Sequence, residues 1–170
     1  MTAMAPAQPA AADWRAQEML LLQQVMKHVG ASLSPDVVLR EMLHLASELL
    51  GLNRGRILLA DNLDELAGLP ADRLLRVERI GIRYSYGLTR EQAARGHFKR
   101  DEGITGRVLA SGQLCLVQDI DHEPLFLART VARADLPPGQ VSFLTLTIRI
   151  GAVTVGVLAC HRLRQRTRPF

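Results

Sequence analysis

Residues 100–119 bring together the groups in this chain that could bind a small molecule. Gly103 and Gly106 flank Ile104 and Thr105, and a short helix is expected to follow them. The start of a helix beside glycines exposes backbone N–H groups at the positive end of the helix dipole, where an anion can bind. Side-chain capping by Glu102 and Thr105 would satisfy the same N–H groups and is the favoured interpretation. The spacing matches neither a phosphate loop nor a dinucleotide-binding fingerprint.

Histidines and cysteines show no spacing that is typical of catalysis or metal binding. Cys160 and His161 are neighbours on an expected strand, so their side chains point to opposite faces and cannot chelate together. Cys115 also lies in a strand pattern, and both thiols are interpreted as buried and reduced. The sequence therefore predicts no enzyme activity, no metal and no cofactor. The five histidines are His28, His44, His97, His122 and His161.

Three acidic residues alternate in the region that follows residue 118. Asp119, Asp121 and Glu123 could together bind a cation. A run of this kind is more often a solvated loop in which the carboxylates cap turns, because short acidic side chains accept hydrogen bonds from nearby backbone N–H groups. We therefore expect a capped loop here.

Charge and composition restrict the classes of partner. The chain has 170 residues, which favours one domain, and a net charge of +4. Four arginines among the last nine residues account for that net charge, so the rest is balanced and lacks the electrostatic footprint of a DNA-binding protein. Direct nucleic-acid binding is not expected. No signal peptide or membrane-spanning run is recognised, and the expected compartment is the cytoplasm.

Caps and hydrophobic periodicity define the expected elements. Ser34 and Pro35 form a strong helix start, and Thr89 with Gln92 forms a capping box. Gly112 ends a short helix, because glycine accepts the left-handed C-cap conformation. The expected helices cover residues 13–29, 34–50, 89–96 and 107–111, and the expected strands cover residues 53–61, 73–87, 113–118, 141–150 and 153–163. Residues 98–100 are expected to be a short extended link.

The connections between these strands indicate an α+β fold. Short turns join several strands, and Gly151 with Ala152 forms a tight hairpin candidate. The sheet is therefore expected to be mainly antiparallel, with helices on its faces. In the second strand, alternation places Tyr84 and Tyr86 on one face together with Ile80 and Ile82.

Residues 119–139, here called the lid segment, have little regular pattern. One or two helical turns are expected over residues 125–133, and residues 137–139 close the segment. A structured segment of this length without strong periodicity often covers a ligand.

The two ends of the chain are expected to differ from its body. Residues 1–12 are rich in Ala, Pro and Gln and are predicted to be disordered. A single folded domain is expected over residues 13–163, and residues 164–170 are interpreted as the start of a linker. The helix over residues 13–29 carries a broad apolar stripe, and it could pack on a second copy of the chain or on its own domain.

The order of elements over residues 33–162 resembles a GAF domain, a sensory module related to PAS with a central antiparallel sheet. Individual motifs are more specific. They resemble the N-terminal GAF domain of NifA-type transcriptional activators, including the AnfA and VnfA relatives. These motifs are Gly103-Ile-Thr-Gly-Arg-Val-Leu, Gln118-Asp-Ile, Glu123-Pro-Leu-Phe-Leu, Arg129-Thr and Val141-Ser-Phe.

This resemblance implies a regulatory domain for the activation of nitrogenase genes. Such activators continue into an AAA+ ATPase domain, which acts on sigma-54 polymerase, and then into a DNA-binding domain; no phosphate-loop motif occurs in this chain. The resemblance also implies a pocket between the sheet and residues 100–107 and 119–133, with 2-oxoglutarate as the candidate effector.

Candidate ligand contacts follow from that pocket. Arg107, Arg129 and Arg133 could pair with carboxylates through bidentate hydrogen bonds. Alternatively, these arginines form surface salt bridges, while Phe126, Phe143 and leucines fill the cavity. The full candidate set is Tyr84, Tyr86, Thr105, Arg107, Phe126, Arg129, Arg133 and Phe143.

Two functions remain open at this point. The first is a small-molecule sensor that controls an attached ATPase domain. The second is a ligand-free homodimerisation and protein-interaction module that responds to an inhibitory protein or a nitrogenase component. A free-standing GAF enzyme of the methionine-sulfoxide reductase kind would need reactive cysteines, which Cys115 and Cys160 do not resemble.

Overall fold

The fold is a six-stranded antiparallel sheet with helices on both faces. The computed structural model describes residues 11–31, 34–64 and 76–163. Its helices are α1 (Ala11–Ala31), α2 (Pro35–Leu50), α3 (Arg90–Ala94) and α4 (Gly103–Ser111). Its strands are β1 (Asn53–Ala60), β2 (Arg79–Ser85), β3 (His97–Lys99), β4 (Cys115–Val117), β5 (Val141–Ile150) and β6 (Val153–Leu163). The strand order is β3-β2-β1-β6-β5-β4. The α+β prediction is confirmed.

Boundaries that depend on caps and tight turns agree with the sequence predictions. The Thr89 hydroxyl accepts a hydrogen bond from the Gln92 N–H at 3.2 Å, and the Gln92 side chain accepts one from the Thr89 N–H at 2.9 Å. Gly112 has the left-handed φ of 71° that its C-cap role requires. The β5–β6 hairpin has the predicted limits on both strands.

Two faces of the sheet carry separate hydrophobic layers. On one face, α2 packs through Leu43, which lies against Gly55 and Cys160. On the other face, α4 and the lid segment cover a continuous core. That core includes Leu58, Ile80, Val108, Leu109, Val141, Phe143 and Val157, all at most 2 % exposed. The candidate site lies within this second layer.

A bulge in β2 reverses the side-chain alternation that the sequence predicted. Ile57 lies opposite Tyr84 whereas Leu58 lies opposite Ile82, so Arg83 is an extra residue in β2. Because one extra residue moves the following side chains to the other face, Ile82 and Tyr84 do not share a face. The single-face prediction for this strand was wrong for that reason.

The lid segment contains no α-helical turn. It has 3₁₀ turns at Ile120–His122 and Arg133–Asp135, and residues 123–130 are irregular. Ala128 has a positive φ of 49°, which interrupts any right-handed helix. The prediction of helical turns over residues 125–133 was therefore wrong, apart from the 3₁₀ turn at the end of that range.

Several predictions fall outside the described residues. They are the predicted disorder of residues 1–10, most of the predicted loop after β1, the first residues of the predicted second strand and the predicted C-terminal linker. Residues 11 and 12, which were also predicted to be disordered, are the first residues of α1. Within the described ranges, no helix is both long enough and apolar enough to cross a membrane.

Candidate functional site

A small cavity lies between the sheet and the lid segment. Its volume is about 10 Å³, the space of one water molecule. Aromatic rings and lid residues therefore fill most of the volume that a ligand would need. The walls are Arg56 of β1, Phe98 of β3, Ile104 and Thr105 of α4, Phe143 of β5, and residues 125–130 of the lid segment.

The two glycines at the start of α4 allow it to approach the lid segment and β3 closely. A Cβ atom on Gly103 would lie 2.8 Å from the Leu127 side chain, and one on Gly106 would lie 2.2 Å from the Lys99 carbonyl oxygen. Gly103 also has a φ of 60°, which favours glycine. The helix begins at Gly103, one turn earlier than the predicted start at residue 107.

The first turn of α4 is joined to the lid segment by the backbone. The Ile104 N–H donates to the Leu125 carbonyl oxygen at 3.1 Å. Glu102 is the N-cap residue, but its side chain makes no capping hydrogen bond, contrary to the capping prediction. Its carboxylate turns toward the lid segment instead.

Glu102 and Arg129 form a bidentate ion pair, here called the clasp. The two N···O distances are 2.7 and 3.1 Å, and the Lys99 N–H donates to the same carboxylate at 2.8 Å. These hydrogen bonds, with that from Arg129 first, lower the pKa of Glu102 to about 2. The Arg129 guanidinium also lies 4.9 Å from the Phe98 ring and donates to the His97 carbonyl oxygen. The clasp therefore fixes the lid segment over the cavity.

A second ion pair closes the far end of the lid segment. Arg133 pairs with Asp121 and donates to the Leu136 carbonyl oxygen at 3.2 Å. Asp121 also accepts a hydrogen bond from the Gly139 N–H. The lid segment is thus folded back on itself by its own side chains.

The acidic run at the start of the lid segment caps turns, as predicted. The Asp119 carboxylate accepts the Asp121 N–H at 3.0 Å, and the Glu123 carboxylate accepts the Leu125 N–H at 3.0 Å. Asp119 also bonds the His122 ring at 3.2 Å. Within the described ranges, no group of three His, Cys, Asp or Glu residues has metal-site geometry.

The predicted site residues divide between three places. Thr105, Phe126, Arg129 and Phe143 meet at the cavity, whereas Arg133 holds the lid segment at the Asp121 pair. Arg107 is exposed on α4 and does not line the cavity.

Tyr84 and Tyr86 contact α2, on the opposite face of the sheet from the cavity. The Tyr84 hydroxyl donates to Asp36 at 2.7 Å, and this hydrogen bond raises the pKa of Tyr84. The Tyr86 ring lies 4.9 Å from the His44 ring. The bulge at Arg83 accounts for this placement, so neither tyrosine forms a wall of the cavity.

Arg56 and His161 are two buried polar residues that the sequence analysis did not select. Arg56 is 2 % exposed and His161 is 1 % exposed. Among the described residues, the Arg56 Nε and both His161 ring nitrogens have no hydrogen-bond partner. The guanidinium carbon of Arg56 lies 5.1 Å from the centre of the Phe143 ring.

Burial changes the pKa values of both residues in the same direction. Loss of solvation lowers the pKa of Arg56 to about 10, which leaves it charged at neutral pH. Loss of solvation, with the positive charge of Arg56 as the next cause, lowers the pKa of His161 to about 2. The imidazole is therefore neutral. The sequence signal that could have revealed the pair is a charged and an ionisable residue inside runs that otherwise read as buried strands.

The two cysteines have environments that disfavour nucleophilic chemistry. Cys160 is 2 % exposed, and burial raises its pKa to about 11. Burial also raises the pKa of the half-buried Cys115. Since the thiolate is the reactive form, both thiols are largely unreactive at neutral pH. Cys160 and His161 point to opposite faces, as predicted.

The family of the chain follows from comparison with known proteins. Residues 34–170 match the model of the GAF domain, and the chain belongs to that family. The fold agrees with the crystal structure of the A. Aeolicus nlh2 GAF domain in an inactive state, with a TM-score of 0.72 and 19 % identity, covering 89 % of this chain and 83 % of that one. Free methionine-R-sulfoxide reductase from Neisseria meningitidis has the same fold, with a TM-score of 0.67 and 16 % identity, covering 97 % of this chain and 84 % of that one.

Curated relatives indicate the kind of protein in which such a domain occurs. The chain is 36 % identical over 146 residues to the Nif-specific regulatory protein of Azospirillum brasilense, covering 86 % of the chain and 21 % of the relative. It is 38 % identical over 85 residues to the nitrogen fixation protein VnfA of Azotobacter vinelandii, covering 49 % of the chain and 16 % of the relative. The chain thus spans about a fifth of the length of such relatives. Its similarity to them supports a regulatory domain.

Proposed function

We propose that this chain is the sensory domain of a cytoplasmic transcriptional activator of nitrogenase genes, and that a small carboxylate effector binds beneath its lid segment. 2-Oxoglutarate is the candidate effector. The effector would control an AAA+ ATPase domain that acts on sigma-54 polymerase and is followed by a DNA-binding domain, both outside this chain. The similarity to Nif-specific regulatory proteins supports the regulatory role.

The observation that carries the effector proposal is the clasp over the cavity. Arg129 lines the cavity and already holds a carboxylate, that of Glu102, in a bidentate arrangement. An effector carboxylate has the same shape and charge, so it can replace Glu102 on this guanidinium. That exchange would release the Glu102 carboxylate from Arg129 and allow the lid segment to settle around the effector. The effector thereby stabilises one of two lid arrangements, which is the requirement for a ligand-driven switch.

Isothermal titration of the 170-residue chain with 2-oxoglutarate tests this proposal, with succinate to show whether the keto group matters. We expect saturable binding that is selective for 2-oxoglutarate. The Arg129→Ala variant should lose binding, whereas Arg107→Ala should retain it, since Arg107 is an exposed arginine outside the cavity. Absence of binding at millimolar ligand would reject 2-oxoglutarate as the effector of this domain.

A second candidate function is supported by the exposed apolar side chains of α1. Met19 is 70 % exposed, Leu22 is 63 % exposed and Met26 is 74 % exposed, although α1 packs against α2. Exposed apolar surface of this kind often marks a protein interaction site. In this alternative, the domain is a homodimerisation module that needs no small molecule and responds to an inhibitory protein.

Light scattering coupled to size exclusion distinguishes this alternative. A dimer that dissociates when Met19 and Leu22 are both changed to Ser, but not when the neighbouring Gln23 is changed to Ser, would support dimerisation through α1. A monomer at all concentrations, together with selective 2-oxoglutarate binding, would reject the dimerisation module and support the sensor function.

A further inference from the structure

We propose that Arg56 and His161 form a buried subsite for one carboxylate group, and that the ring of Phe126 covers this subsite when no ligand is bound. The inference deepens the proposed function and rests on it, because it names the anchoring residues and the ligand class for the same cavity. Nothing in the motif resemblance points to either residue. The support comes from charge balance, burial and unused hydrogen-bonding atoms.

Arg56 differs from Arg129 and Arg133 in having no acidic partner among the residues that the structure describes. Arg129 is neutralised by Glu102 and Arg133 by Asp121. For Arg56, the described residues provide the Arg54 carbonyl oxygen, 3.5 Å from one terminal nitrogen, and nothing for Nε. A buried charge is retained in a protein at a cost unless it is paired. A ligand carboxylate would supply the missing charge and would match the planar guanidinium through two parallel hydrogen bonds.

His161 does not line the cavity itself but lies behind two of its lining rings, 5.8 Å from that of Phe126 and 5.3 Å from that of Phe143. Arg56 lies opposite Ala159 in the β1–β6 pair, and His161 is two residues further along β6, so both side chains project from the same face of the sheet. Both ring nitrogens of His161 lack partners among the described residues. The neutral imidazole offers one N–H donor without adding a second positive charge, and its other nitrogen can accept a hydrogen bond from a ligand hydroxyl.

Phe126 occupies the space above these two residues. Its ring lies 5.2 Å from the Phe143 ring and 5.8 Å from the His161 ring, both in edge-on arrangements. The cavity that remains holds one water molecule, so a carboxylate can enter only if Phe126 moves. Phe126 belongs to the lid segment, and its N–H is bonded to the Glu123 carbonyl oxygen within that segment. Occupation of the subsite is therefore coupled to the arrangement of the lid.

The charge of the subsite selects the ligand class. One guanidinium is balanced by one carboxylate, whereas a dianionic phosphate would leave a net negative charge in a buried site. A single ligand carboxylate at this end balances Arg56, and any second carboxylate must displace Glu102 from Arg129, as in the exchange proposed above. Carboxylates, including the 2-oxo acids of the proposed function, are thus expected to bind, and inorganic phosphate is not.

Thermal unfolding of the 170-residue chain with sodium 2-oxoglutarate, sodium pyruvate or sodium phosphate at matched ionic strength tests the subsite. We expect both 2-oxo acids to raise the unfolding temperature saturably and phosphate to leave it unchanged. The Arg56→Met variant should unfold at a higher temperature than the wild type without ligand, because it removes an unpaired buried charge, and it should not respond to the 2-oxo acids. The exposed Arg79→Met variant serves as the control and should respond like the wild type.

Two further variants keep the test informative if Arg56→Met does not fold. Arg56→Lys keeps the charge but loses the bidentate geometry, and it should weaken 2-oxoglutarate binding by about tenfold or more. Phe126→Ala removes the cover and should strengthen that binding while lowering the unfolding temperature of the free chain.

The outcomes separate this inference from the proposed function. If 2-oxoglutarate binding is lost in Arg129→Ala but retained at full strength in Arg56→Met or Arg56→Lys, the sensor function stands and this subsite is rejected. A shift with phosphate that depends on Arg56 would overturn the carboxylate class. No shift with any of the three anions, in either the wild type or Phe126→Ala, would reject the subsite itself.

Discussion

Individual buried residues set how the stability of this domain depends on pH. His161 is neutral in the folded chain because burial and the charge of Arg56 lower its pKa to about 2, from an ordinary value of 6.5. Between these two values, the unfolded chain binds a proton that the folded chain does not. Stability therefore falls as the pH falls below 6.5, by up to roughly 1.4 kcal/mol per pH unit.

The His161→Leu variant should remove most of this pH dependence between pH 7 and pH 5. The measurement is urea unfolding at several pH values in that range. Glu102 contributes below it, because its pKa falls from 4.5 in the unfolded chain to about 2 in the folded chain, and its stabilisation is lost only as the pH drops through those values. Equal slopes in the wild type and His161→Leu would contradict the buried neutral imidazole.

The packing of α4 against β3 depends on Gly106. Gly106 faces the Lys99 carbonyl oxygen so closely that a Cβ atom would lie 2.2 Å from it. This neighbour is backbone and cannot rotate away. We expect Gly106→Ala to lower the free energy of unfolding by about 3 kcal/mol, measured by urea denaturation. Gly30→Ala on α1, where nothing lies within 4 Å, should have no destabilising effect and is the matched control.

The α2 face of the sheet should tolerate loss of its tyrosine hydroxyl. Tyr84 reaches Asp36 on α2 rather than the cavity. We therefore expect Tyr84→Phe to lower the free energy of unfolding by less than about 1 kcal/mol and to leave 2-oxoglutarate affinity unchanged, as measured by isothermal titration. A large loss of affinity in Tyr84→Phe, with Arg107→Ala unaffected, would show that Tyr84 takes part in binding after all.

Local rules predicted the elements well where the deciding residues are adjacent in sequence. The Thr89 and Gln92 capping box, the Gly112 stop and the turn at Gly151 each depend on a few neighbouring positions, and each was confirmed. The bulge at Arg83 depends on the register between β1 and β2, which no local pattern encodes. The placement of Tyr84 was missed for this reason.

Residues whose role depends on distant neighbours were predicted less well. Glu102 was predicted to cap α4, but its carboxylate bonds Arg129, which is 27 positions away. Arg56 and His161 are 105 positions apart and become a pair only when β1 and β6 join. Thr105, Phe126, Arg129 and Phe143 were selected through a family motif and do meet at the cavity.

At the scale of the whole molecule, the cavity and the N-terminal helices lie on opposite faces of one sheet. β1 joins them, since Arg56 borders the cavity while the neighbouring Gly55 lies against Leu43 of α2. A change in the lid segment can thus reach α2 through a single strand. The packed sheet between them offers a physical route by which effector binding could alter the exposed surface of α1.

Amide hydrogen exchange of the 170-residue chain, with and without saturating 2-oxoglutarate, is the most direct test that this cavity is the sensing site. The account predicts slower exchange in residues 120–130 and in the first turn of α4 when the effector is present, because a ligand beneath the lid orders both. The same effector should produce no such change in Arg56→Met or Arg129→Ala at that concentration. Exchange that is unchanged in the lid segment, or that changes only in α1 and α2, would contradict the account and would favour the interaction module instead.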